Sequence, residues 1–312
     1  MADESSKPSR LLAWLQLMRL PNVFTAMADV AMGFWFTHES LSPLGVFLLL
    51  LISSGCLYIG GMILNDGFDL EQDRRERPNR PLPSGRISAR DAVAIGRMLL
   101  VLGVIFAYLT MADTSKLHAG LVASVLALLI YAYDYFLKRT PLGTLAMGGC
   151  RFLNVLLGMS ASLQPWTVVN FIVAGGIGVY IVGVTWFARK EAAASPRAHL
   201  IGGFFMMLAG IALLWSFPKF LPSVELTPML ELRPQYWALL WIVFAALIGW
   251  RFVRAITRPQ PALVQRAVKN GILSIIMLDA TAVLGMRGCW PAIAVLLLLV
   301  PAIVLGRWVY ST

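Results

Sequence analysis

Apolar residues run in long, nearly unbroken stretches from residue 11 to the end of the chain, separated by short segments rich in Arg, Pro and acidic residues. A helix of roughly 20 apolar residues crosses the hydrocarbon core of a bilayer and satisfies its own backbone donors and acceptors where water cannot. Such stretches lie near residues 11–37, 43–64, 92–112, 117–137, 141–161, 166–188, 198–217, 236–256, 265–286 and 290–308. The pattern predicts an all-α integral membrane protein with nine to ten transmembrane helices. The stretch at 265–286 carries Arg266, Lys269 and Asp279, so it is expected to be tilted, partly interfacial or packed inside the bundle. Residues 1–10 are polar and read as a disordered cytoplasmic tail. The first apolar run is too long and too poorly flanked for a cleaved signal sequence.

Composition agrees with the pattern. The chain is 58% hydrophobic and 13% charged, with a mean hydropathy of +0.74, far from the balance of a soluble domain. Its net charge of +10 reads as topology: a cytoplasmic N-terminus places most of the 26 Lys and Arg on the cytoplasmic side. That orientation brings the loops at 65–90, 138–139 and 189–197 to one face, in a bacterial-type inner membrane. No nucleic-acid partner and no obligate protein partner is indicated. Cys56, Cys150 and Cys289 are odd in number, lack metal-ligand spacing and read as small buried apolar residues. No Ser-His-Asp or Cys-His set and no Walker-type loop points to covalent or nucleotide chemistry.

The densest acidic cluster is NDGFDLEQD, residues 65–73. Asp66, Asp69 and Asp73 stand at i, i+3 and i+7 and share one face if the helix continues through them. Such a stripe repels itself unless a cation sits on it. Carboxylates at a helix end suit Mg²⁺, which keeps several waters and is completed by substrate phosphates. A solvated acidic turn between two membrane helices is the plainer alternative. The following RRERPNRPLPSGR, residues 74–86, holds five Arg and three Pro. Guanidinium forks bind phosphate oxygens in pairs, and prolines stiffen the loop that carries them. NDxxDxxxD followed by RPNRPLPSG resembles the first aspartate-rich motif of the UbiA-type intramembrane prenyltransferases. The RLPN at residues 19–22 is also similar to that family.

Two echoes suggest an internal duplication. Arg19-Leu20-Pro21-Asn22-Val23 is matched by Arg151-Phe152-Leu153-Asn154-Val155, and Tyr58-Ile59-Gly60-Gly61 by Tyr180-Ile181-Val182-Gly183. The expected fold is a single UbiA-like domain over 11–312, two pseudo-repeated four-helix groups around a central cavity. The halves lie near 11–137 and 141–256, with extra helices at 262–308. Aligning the second Tyr-Ile pair on the first sets Asp66 against Ala188, Asp69 against Glu191 and Asp73 against Ser195. UbiA-type proteins generally carry a second aspartate-rich motif there, whereas this chain reads WFARKEAAASPR. One Mg²⁺ site rather than two is therefore expected. Arg189 and Lys190 either neutralise diphosphate directly or serve as membrane-surface anchors.

The resemblance implies Mg²⁺-dependent transfer of an isoprenoid group from a prenyl diphosphate to an aromatic or other small acceptor within the membrane. In that reading Asp66, Asp69 and Asp73 are the metal ligands. Asp66, Asp69 and Lys138 act on the departing diphosphate, with Arg139 as the alternate to Lys138. Asn65, Arg77, Arg80, Arg189, Lys190 and Glu191 complete the diphosphate end, and Asn22 contacts substrate. Tyr58, Tyr180 and Trp186 are candidate walls for an allylic cation. Arg151 and Asn154 lie inside an apolar run, where an isolated charge costs about 2.5–3.5 kcal/mol on insertion scales, and are site candidates on that ground. The same cost requires a partner or a wetted cavity for Asp29. Binding or export without transfer, and lyase or cyclase chemistry, share the same recognition and stand as alternatives.

Overall fold

The computed structural model describes residues 10–114, 118–162, 164–189, 196–221 and 234–309. Residues 1–9, most of the expected tail, lie outside the described residues, as do Lys190 and Glu191. The first apolar run divides into α1 (Arg10–Leu17) and α2 (Leu20–Thr37). Between them Arg19 takes a left-handed backbone conformation, φ 46° and ψ 45°, and Pro21 follows in the first turn of α2. Proline is tolerated there because its missing N–H would have no helical partner, while inside an unbroken helix it would clash with the preceding turn.

The chain continues through α3 (Leu44–Phe68), α4 (Leu70–Glu76), α5 (Ala89–Leu109), α6 (Met111–Thr114), α7 (His118–Tyr135) and a 3₁₀ turn at Leu137–Arg139. It then forms α8 (Gly143–Met159), α9 (Val168–Ala188), α10 (Arg197–Ser216), α11 (Pro234–Thr257), α12 (Pro261–Arg287), α13 (Cys289–Leu296) and α14 (Leu299–Trp308). Ser88 caps α5 by accepting from the Asp91 N–H, and Thr167 with Asn170 forms a reciprocal capping box on α9.

Among the described residues, eight helical spans are long and apolar enough to cross a membrane. Helices α2 and α8 are not among the eight; they carry Asp29 and Arg151. Helix α2 packs against α3, α8, α12 and α14, and most of its residues are buried. Gly33 and Gly158 bring α2 and α8 backbone to backbone, since a Cβ on either would run into the other helix's main chain. Helix α12 packs against α2, α9 and α11 and buries Asp279 completely, while Arg266 and Lys269 near its start are exposed, so the Asp279 part of the span lies inside the bundle.

The outer surface is apolar, with Leu48, Ile105, Leu128, Phe205, Leu247 and Trp250 exposed. The charged side chains Asp29, Arg151 and Asp279 lie within. That inversion is what a lipid solvent selects. Cys289, expected to be buried, is exposed beside Trp290 on this outer surface, while Cys56 and Cys150 are half-buried.

Candidate functional site

The acidic stripe does not run along one continuous helix, because α3 ends at Phe68 and Asp69 joins it to α4. Asp66, in the last turn of α3, accepts from Arg19 Nη2 at 3.0 Å, and Arg80 Nη1 stands 3.6 Å from the same Oδ1. Arg80 Nη1 also donates to Asp73 Oδ2 at 2.8 Å. All three side chains are withdrawn from solvent, with exposures of 6% for Asp66, 4% for Asp73 and 8% for Arg80. Asp69 turns to the 3₁₀ segment instead: Lys138 Nζ lies 2.7 Å from its Oδ2 and Arg139 Nη2 3.6 Å from its Oδ1. Lys138 also donates to the Asn65 carbonyl at 3.2 Å, and Asn65 Nδ2 donates to Asp134 Oδ1 at 2.8 Å.

The three carboxylates expected on one face are therefore divided, Asp66 with Asp73 around Arg80 and Asp69 with Lys138. Among the described residues no three Asp, Glu, His or Cys gather closely enough to hold a metal by themselves. Asp66 and Asp73 do flank one shared cation, the Arg80 guanidinium. A buried two-carboxylate set of hard oxygens fits Mg²⁺, which uses one or two carboxylates and keeps its remaining positions for water and phosphate.

Two cavities share Arg19. The outer one, about 670 Å³, is lined by Arg19, Arg77, Arg80 and Arg86 together with Asp66, Glu76 and the proline-rich loop. The inner one, about 330 Å³, lies between α2, α3, α7, α8, α9 and α12, and its walls are mostly apolar, among them Leu57, Met62, Ile130, Met147, Ile181 and Ile272. Its polar points include Asn22, Tyr58, Asp134, Arg151 and Asn154.

Arg151 and Asp29 meet each other's need for a partner. Arg151 Nη1 donates to Asp29 Oδ2 at 2.8 Å and Nη2 to Thr25 Oγ1 at 2.8 Å. Asn154 Nδ2 donates to Asp29 Oδ2 at 3.0 Å and to the Ala26 carbonyl at 2.9 Å, while its Oδ1 accepts from Ser54 Oγ at 2.8 Å. The guanidinium also sits 5.4 Å from the centre of the Tyr58 ring, a cation–π distance. Arg151 and Asn154 thus face the cavity and hold α8 to α2 at once.

Other candidates fall elsewhere. Tyr180 does not line the cavity: it is fully buried and its hydroxyl donates to the Gly271 carbonyl of α12 at 3.0 Å. The echo with Tyr58 matched sequence position but not the face of α9 that meets the chamber. Trp186 lies against Gly202 of α10 and is a packing residue. Arg189 is exposed and donates to the Thr140 carbonyl at 2.9 Å, beside the Lys138 turn. Arg19 and Asp134, absent from the candidate set, stand at the centre of the site. Their signal was a charged residue inside or at the edge of an apolar run, the same signal that selected Arg151.

A profile of the UbiA prenyltransferase family matches residues 26–269. The chain belongs to the UbiA prenyltransferase family. The digeranylgeranylglyceryl phosphate synthase of Sulfurisphaera tokodaii is 30% identical over 163 residues, 52% of this chain and 56% of the relative. That of Methanoculleus marisnigri is 35% identical over 136 residues, 43% of this chain and 46% of the relative. The chain spans about half the length of the curated relatives it matches. The UbiA fold extends further than that similarity. A solved UbiA homologue from Archaeoglobus fulgidus bound to DMAPP and Mg²⁺ is similar with a TM-score of 0.58 and 16% identity, over 84% of this chain and 98% of that one. A solved structure concerned with digeranylgeranylglyceryl phosphate synthase in membranes has a TM-score of 0.63 and 20% identity, over 90% of this chain and 99% of that one. At these identities the likeness establishes the fold, a multi-pass helical membrane bundle.

Proposed function

We propose that this UbiA-family protein transfers an isoprenoid group from a prenyl diphosphate to a small acceptor, with Mg²⁺ as cofactor. The observation that carries the reading is the shared Arg19: a basic, carboxylate-bearing mouth on one side of it and an apolar chamber on the other. A molecule with a highly charged head and an isoprenoid tail matches both. The Mg²⁺ and DMAPP of the Archaeoglobus fulgidus homologue support the same assignment.

Asp66 and Asp73 would hold the metal. When bound, Mg²⁺ supplies positive charge to the departing diphosphate as the allylic C–O bond breaks. Arg19, Arg77 and Arg80 line the mouth and would hold diphosphate oxygens from fixed positions, with Lys138 adding charge from the neighbouring Asp69 and Asn65, so little reorganisation is needed as charge develops. Asp69 orients Lys138 through their 2.7 Å contact. Tyr58 offers an electron-rich face to the allylic cation, and the apolar walls keep water from capturing it. Asn22, which lines the inner cavity, would position the acceptor. The Lys and Arg around the mouth support a cytoplasmic position for it in a bacterial-type inner membrane.

Purified protein in detergent, given Mg²⁺, radiolabelled prenyl diphosphates and a panel of acceptors, tests the reading. The curated relatives are named for a glyceryl phosphate product, so phosphate-bearing acceptors belong in the panel beside aromatics. The expected result is diphosphate release together with a prenylated acceptor, lost in Asp66→Ala. Release without an acceptor product would establish lyase or cyclase chemistry instead. Mg²⁺-dependent binding with no release would make the protein a carrier.

A further inference from the structure

Behind the cavity floor lies a polar centre that prenyl transfer does not use. Asp29 on α2 and Asp279 on α12 are both wholly buried on helices that pack directly against each other, and each carboxyl lies close enough to act on the other. Asp29 Oδ1 and both oxygens of Asp279 nevertheless have no donor. The charged groups that act on Asp279 from the packed helices are Asp29 of α2 and Arg151 of α8, and the Arg151 guanidinium in turn sits over the Tyr58 ring of α3.

Two carboxylates against one guanidinium leave one negative charge uncompensated in a dry place, where a lone charge or an unpaired polar oxygen is costly. A hard metal ion takes about six oxygens, and only Asp29 Oδ1 and the two Asp279 oxygens are without a donor here. Two carboxyl groups in contact satisfy each other when one of them carries a proton.

We propose that Asp29 and Asp279 form a single-proton binding site. One proton is shared between Asp29 Oδ1 and an oxygen of Asp279, leaving Asp29 Oδ2 to Arg151 and Asn154. The proton brings the set of Asp29, Asp279 and Arg151 to zero net charge, so the cavity floor at Arg151 repels neither an anionic head nor an apolar chain. It also replaces a repulsion between α2 and α12 with a hydrogen bond. This holds whether or not the protein transfers a prenyl group.

Infrared spectroscopy on the full chain in detergent tests the proposal. At neutral pH the wild type should show a protonated-carboxyl band that is lost in Asp279→Asn and in Asp29→Asn, but kept in Asp134→Asn. Thermal stability gives the second readout. The folded pair holds a proton that the unfolded carboxyls release above their ordinary range, so wild-type stability should fall with rising pH relative to Asp279→Asn, whose amide imitates the protonated acid. A band that persists unchanged in whichever of the two variants folds overturns the proposal. So does a wild type without the band, whether or not its stability follows Na⁺ concentration at fixed ionic strength.

Discussion

Arg19 concentrates the chemistry of the mouth in one residue. Its left-handed backbone is unusual for a side chain with a Cβ and costs about 1–2 kcal/mol. That conformation ends α1, starts α2 and directs the guanidinium to Asp66 and both cavities. Backbone and side-chain roles can be separated. Arg19→Gly keeps the turn without the strain, while Arg19→Ala keeps the strain and discards the charge. The glycine variant should therefore be more stable than the alanine variant by about 1 kcal/mol, read from thermal unfolding in detergent. Both should lose prenyl diphosphate affinity to the same extent. Equal stabilities would mean that the left-handed turn carries no strain, and retained affinity would remove Arg19 from the proposed diphosphate site.

At the scale of helices, the α2 and α8 crossing holds Arg151 against Asp29. Gly158 meets the Val30 carbonyl where a Cβ would go, whereas Gly175, on α9, has open space. Overpacking a close contact costs about 1–3 kcal/mol, and Gly→Ala in an unobstructed helix gains up to about 1 kcal/mol. Gly158→Ala should lower the unfolding midpoint and Gly175→Ala should leave it unchanged or raise it, a difference in sign that calorimetry can read. The spans were legible from apolar runs alone because lipid demands long unbroken helices. The break at Arg19 was signalled by Pro21 but hidden by the continuous hydrophobicity on both sides of it. The division of the acids was not legible at all, since it depends on a single residue, Asp69, leaving helical geometry and on where Lys138 arrives. Arg151 was marked by its cost in an apolar run, but its partner lies 122 residues away, and no local pattern carries that pairing. Tyr180 shows the limit of reading by echo: a repeat fixes the order of residues more strongly than the face each presents.

Over the whole molecule, cationic side chains gather at one end of the bundle. Arg74, Arg75 and Arg77 follow the acidic motif, Lys138 and Arg139 occupy the turn after α7, and Arg189 joins them through the Thr140 carbonyl. Lys219, after α10, and Arg287, at the end of α12, belong to the opposite ends of their helices. Lys and Arg near span ends are retained on the cytoplasmic side, so the asymmetry supports the proposed cytoplasmic orientation of the mouth without reference to any substrate. The orientation has a consequence for supply: a charged diphosphate can reach the mouth only from the leaflet and aqueous phase it faces. In a background with Cys56, Cys150 and Cys289 replaced by Ala, a cysteine at Glu71 should react with a membrane-impermeant maleimide in inside-out vesicles and stay unlabelled in intact cells. A cysteine at Ser40, in the exposed turn after α2, should show the reverse. If Glu71 is instead labelled from outside, the mouth opens away from the cytoplasm, and donor and acceptor would both have to be delivered across the membrane before transfer.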